Sequence, residues 1–88
     1  MEERINGGYT IIQSVSVGST EFVLGESQKA PDPYVTWECT NGTNYYWGHY
    51  FDSYHRARTD LFERARALSQ REEDRAAAKA HHGKERER

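Results

Sequence analysis

Among the 88 residues, the side chains able to serve as nucleophile, base or metal ligand are Cys39, the histidines His49, His55, His81 and His82, and scattered carboxylates. A thiol nucleophile needs its base within hydrogen-bond reach, so Cys39 would have to meet His49, His55 or Asp52. In a hairpin turning at Asn41-Gly42, Cys39 and His49 point to opposite faces. Cys39 therefore reads as a buried, inert thiol. A zinc site needs four ligands at finger-like spacing, and Cys39, His49 and His55 supply at most three, without a paired CxxC or HxxxH. Glu21, Glu26 and Glu38 are spread along strands, and His81-His82 lies in a charged tail. No glycine-rich phosphate loop, GxSxG elbow or HExxH occurs. The expectation is a protein that is not an enzyme, with no catalytic residues, no metal and no cofactor.

The richer chemistry is aromatic. Residues 37–51, WECTNGTNYYWGHYF, hold six of the chain's eleven aromatic rings. Exposed tyrosine and tryptophan clusters are what protein-binding hot spots are made of. Charge offers the competing reading. Residues 1–52 carry two basic and seven acidic side chains, a net of −5, whereas 53–68 carry +2 and 69–88 carry +1. Arg56 and Arg64, with Arg71 and Arg75 further on, could touch a phosphate backbone, but Glu72, Glu73 and Asp74 dilute them.

The elements that must position these residues follow from pattern. A chain of 10.2 kDa with 35% hydrophobic residues and a mean hydropathy of −1.03 holds one domain with a small core. Its single cysteine rules out an intrachain disulfide, and its short apolar runs predict neither a signal peptide nor a transmembrane span, so the expected location is the cytoplasm. Residues 1–8, ending in Gly7-Gly8, read as a flexible arm. Tyr9 to Val17 alternates as a strand; Gly18-Ser19 suits a type II′ turn, which pairs Val17 with Thr20, Val15 with Phe22 and Gln13 with Leu24. Phe22 and Leu24 then share a face with Val15 and Ile11. The loop SQKAPDP contains both prolines and separates this hairpin from a second.

Asn41-Gly42 is the strongest short hairpin signal, and with those two residues as the loop Cys39 faces Asn44, Trp37 faces Tyr46, Thr36 faces Trp47 and Tyr34 faces His49. Gly48 inside a strand marks a bulge, a bend or a ring lying over the backbone, and of these a bend before the helix is the expectation. Asp52 or Ser53 offers an N-cap, and Tyr54, Ala57, Leu61, Ala65 and Leu68 form one apolar stripe with Phe62 beside it. Beyond Leu68 the helix should run into solvent to about Ala80 and fray.

The expected architecture is α+β: a four-stranded antiparallel sheet of two hairpins (ββββα) with one C-terminal helix packed on one face. The domain spans 9–68, and 69–88 form a charged, solvent-exposed extension ending in a disordered tail. Its core holds Ile11, Val15, Phe22, Leu24, Trp37, Leu61, Ala65 and Leu68. One helix covers one face, so Tyr34, Tyr45, Trp47 and His49 are expected on an open sheet face that meets an unidentified protein partner or a second copy in a homodimer. Nucleic acid is the alternative partner, and no membrane is expected.

Two resemblances bear on this. Three strands followed by a helix, with the exit GHYFDS and the helix ARTDLFERARAL over residues 34–66, resemble the ethylene-response-factor and transposon-integrase arm domains, which lay a sheet in the major groove. Those domains project arginines and lysines from the sheet, whereas residues 30–52 contain none. The run PDPYVTWECTNGTNYYWGHYFDS, preceded by YTIIQSVSVG, resembles a family of small uncharacterised proteins encoded on conjugative transposons of Gram-positive gut bacteria, over residues 9–68. That resemblance implies a mobile-element accessory protein that works by binding.

Overall fold

The computed structural model describes residues 3–84, and the side chains of residues 3–75. Gly18, at φ +61°, turns the chain between β2 (Tyr9–Val17) and β3 (Thr20–Glu26), and the pairs Val17 with Thr20, Val15 with Phe22 and Gln13 with Leu24 form as the turn requires. A bulge at Ile12 then breaks the alternation: Ile11 pairs with Gly25, and its side chain falls on the face opposite Val15. This corrects the placement of Ile11 beside Val15.

The second hairpin joins β4 (Tyr34–Thr40) to β5 (Asn44–Phe51). Asn41 and Gly42 both adopt positive φ, 58° and 74°, but the first strand pair is Thr40 with Asn44, so the loop holds three residues instead of two. That one-residue slip moves Tyr45 opposite Cys39 and Tyr46 opposite Glu38, and turns Tyr45 to the other face from the one expected. A second bulge, where Trp47 and Gly48 oppose Trp37, ends with Thr36 opposite His49 and Tyr34 opposite Phe51.

The sheet has five antiparallel strands in the order β1-β2-β3-β4-β5, curled into a half-barrel, and not the four expected. The additional strand β1 (Ile5–Asn6) lies in the segment read as an arm. Gly7 and Gly8, at φ +59° and +86°, reverse the chain tightly enough for Ile5 to pair with Thr10. Two bulges bend the sheet, and Arg4 ties its curl together across the inner face. The guanidinium donates to both Glu21 carboxylate oxygens at 2.8 and 3.0 Å, to the Tyr45 hydroxyl at 3.2 Å and to the Gly42 carbonyl at 3.4 Å.

Curling gives the small domain two apolar clusters. Inside the curl, Tyr9, Val23, Val35, Trp37 and Cys39 are buried, with Ile11, Ala30 and Tyr45 against them. On the convex side, Phe22 and Leu24 pack under Ala57, Leu61 and Ala65 of α1 (Tyr54–Lys84), flanked by Val15, Val17, Tyr34, Phe51 and Leu68. Trp37 therefore belongs to the sheet's own interior. Its indole lies over the backbone of both neighbouring strands: a Cβ on Gly25 would stand 3.3 Å from the ring, and one on Gly48 only 2.9 Å from Nε1. Gly48 is thus a bulge residue beneath an aromatic ring and not a bend before the helix.

Ser53 caps the helix, its Oγ accepting from the Arg56 amide at 3.3 Å. Residues 69–75 are exposed, and the helix continues to Lys84, beyond the fraying expected at about Ala80; the rest of the expected tail, residues 85–88, lies outside the described residues. Among the described residues no helix is long and apolar enough to cross a membrane.

The Arg4 bond holds the Glu21 carboxyl below its ordinary value of 4.5, and that carboxylate's contribution is present above the unfolded-state value and lost as pH falls through the lower folded-state value. Replacing Arg4→Met should lower stability by about 1–2 kcal/mol at neutral pH. It should also flatten the loss of stability below pH 4.5, as read by denaturant melts across a pH series.

Candidate functional site at the β5 bulge

The bulge places Trp47 at φ 58°, in the left-handed region that a bulky side chain rarely adopts. For a non-glycine residue that conformation costs about 1–2 kcal/mol. Packing does not recover it, because the Trp47 ring is 70% exposed and its one close aromatic neighbour is Tyr46, edge-on at 6.2 Å.

What holds the backbone there is Arg64. Leu61 and Ala65 face the sheet, which brings Arg64 against the β4–β5 gap where pairing is interrupted. Its Nη2 donates to the Trp47 carbonyl at 2.8 Å, while Nη1 donates to the Thr36 carbonyl at 3.2 Å and the Thr36 hydroxyl at 3.0 Å. One guanidinium thus spans two strands and supplies donors beside the bulge. The side chain is 12% exposed and lies over the Phe22 ring, 5.8 Å from its centroid. Burial lowers the Arg64 pKa, and the nearby carboxylates Asp60 and Glu38 oppose that shift. Asp60 anchors the surrounding network: its Oδ2 accepts from the buried Thr36 hydroxyl at 2.6 Å and lies 3.0 Å from His49 Nδ1. Among the described residues no buried side-chain polar atom lacks a partner.

The four aromatic-face residues do not share a surface. Tyr34 is half-buried on the helix side, edge-on to Tyr54 at 5.8 Å. Tyr45 is half-buried inside the curl, 5.7 Å from Trp37 and beneath Arg4. His49 is exposed on the helix side, bound to Asp60. Trp47 alone projects freely, and Tyr50, 53% exposed on the same strand, is the other large ring left open on β5. The outcome is a partly buried aromatic cluster, with the curl hiding the rings that one helix cannot.

The four arginines also separate. Arg64 is consumed by protein carbonyls, and Arg56 is exposed but 3.4 Å from Asp52. Arg71 and Arg75 are exposed on α1, Arg71 beside a small cavity of about 200 Å³ that it lines with Phe22, Glu38, Arg64 and Ala67. Cys39 and His49 stand on opposite faces of the sheet, and burial pushes the Cys39 thiol up.

Sequence reasoning missed Arg64 as a clamp and Tyr50 as an open ring on β5. The legible signals were small: Gly48 inside a strand, and Arg64 three residues after Leu61, beside the packed stripe. Comparison of the chain with protein-family models, curated proteins and solved structures finds no match.

Two substitutions test this geometry. Trp47→Gly removes the left-handed cost and little packing, so stability should hold or rise by about 1 kcal/mol in chemical denaturation. Arg64→Met should cost about 2–3 kcal/mol, because charged hydrogen bonds are lost and carbonyls beside the bulge lose their donor. A clear loss of stability in Trp47→Gly would show that the ring is structural.

Proposed function

We propose that the protein is a non-catalytic interaction module whose contact is centred on Trp47 of β5. The observation that carries this reading is a large ring directed outward from a left-handed backbone, at a cost the ring's own packing does not recover. Strain retained at an exposed position is characteristic of sites that act on something else. Trp and Tyr, as hot-spot residue types, suit a protein surface, and Tyr46 and Tyr50 stand on either side of Trp47 on the same strand. In this reading Tyr34, Tyr45 and His49 support β5 from within the monomer.

The resemblance of residues 9–68 to conjugative-transposon proteins supports an accessory role on a mobile genetic element, exercised by binding in the cytoplasm. Of its four arginines the nucleic-acid reading retains Arg71 and Arg75, which are exposed and show no ion pair among the described residues, and Glu72, Glu73 and Asp74 lie between them in the chain.

A photo-crosslinking phenylalanine analogue placed at position 47 in producing cells should form a discrete protein adduct, and one at position 62 should not. Adducts at 62 with none at 47 would overturn the assignment.

A further inference from the structure

Among the described residues β5 has a strand neighbour on one side only. An unpaired strand edge presents a row of backbone donors and acceptors, and the ligand with matching chemistry is another strand. Proteins ordinarily guard such an edge by making it short, by placing charge or proline on it, or by twisting it away at a bulge. The opposite edge of this sheet follows the first rule, since β1 has two residues. β5 has eight, NYYWGHYF, with no lysine, arginine, acid or proline. It does carry a bulge, but Arg64 draws the Trp47 carbonyl to the β4 side, where the same guanidinium holds the Thr36 carbonyl. The distortion is therefore drawn toward β4, and Trp47, Gly48, His49 and Tyr50 remain exposed along β5.

The charges around this strand are answered within the monomer. Asp52 is paired with Arg56, Asp60 binds Thr36 and His49, and Glu38 accepts from the Tyr46 hydroxyl at 3.5 Å and lines a cavity with Arg64 and Arg71. A foreign partner is usually selected by complementary charge at the rim, and β5 offers none. A two-fold contact brings each group against its own copy, so an uncharged edge meets itself without repulsion.

We infer that the partner of β5 is a second copy of this chain, joined edge to edge and antiparallel about Trp47–Gly48, so that two five-stranded sheets run on as one. Because only β5 is long enough to form a ladder, pairing through it closes at a dimer and does not propagate. This inference rests on the reading of Trp47 as the contact and names its occupant.

Sedimentation of the full chain over a dilution series should show a mass moving from 10.2 kDa toward twice that value as concentration rises. Trp47→Asn, which removes the ring and tolerates the left-handed backbone, should weaken association about tenfold or more, as a central hot-spot residue does. Tyr50→Lys, which places a charge on the edge, should do the same, and Phe62→Ser on the helix flank should leave it unchanged. Amide hydrogen exchange should show protection of residues 44–51 growing with concentration. A monomer at every concentration, or a dimer broken by Phe62→Ser and not by Trp47→Asn, overturns the inference. If the wild type is monomeric and the crosslink from position 47 captures a different protein, the dimer falls and the Trp47 contact stands; if no adduct forms at 47 at all, both fall.

Discussion

The guanidinium of Arg64 is the point at which helix, sheet and exposed surface are joined. It lies under α1, crosses the gap between β4 and β5, and takes up carbonyls from both strands at the place where their pairing is interrupted. A buried cation carries a desolvation cost, met here by the nearby carboxylates Asp60 and Glu38 and by three short hydrogen bonds. Without it, a bulge containing a left-handed tryptophan has no evident support. With it, helix docking and the outward direction of Trp47 become one event.

The second constraint is arithmetic of surfaces. A sheet with large rings on both faces and one helix must curl, recruit a partner, or leave rings in water. This chain does the first for Tyr9, Trp37 and Tyr45, which meet edge-on and tilted inside the half-barrel, and leaves Trp47 and Tyr50 open on the edge strand. Curling depends on small details: a bulge at Ile12, glycines where the Trp37 indole crosses the backbone, and Arg4 spanning from the first strand to Glu21 and Tyr45. The inner cluster gives a chain of this size a second core without a second helix.

Much of the fold was readable from local signals. Gly18-Ser19 set the first hairpin's register, Ser53 capped the helix, and the stripe Ala57, Leu61, Ala65 faced the sheet, because each depends on residues within a few positions. The failures were non-local or turned on one residue. Asn41-Gly42 located a turn but not its loop length, and a one-residue difference changed the faces of Tyr45 and Tyr46. Gly7-Gly8 looked like the end of an arm, although glycine pairs also make the tightest turns, and the short strand before them is fixed by Arg4, whose partners lie 17 and 41 residues away. The site was legible in part: the aromatic density on β5 pointed to Trp47, but nothing in residue type said that Arg64 would be buried and spent on carbonyls instead of facing outward.

The backbone of residue 47 is where Arg64 and the exposed surface meet. Scalar couplings and intraresidue Hα–HN cross-peaks of Trp47, measured by NMR in the wild type and in Arg64→Met, address it directly. The prediction is a left-handed φ with an exposed ring in the wild type, relaxing toward averaged or extended values when Arg64 is removed. An extended Trp47 in the wild type, or a left-handed one indifferent to Arg64, would contradict it.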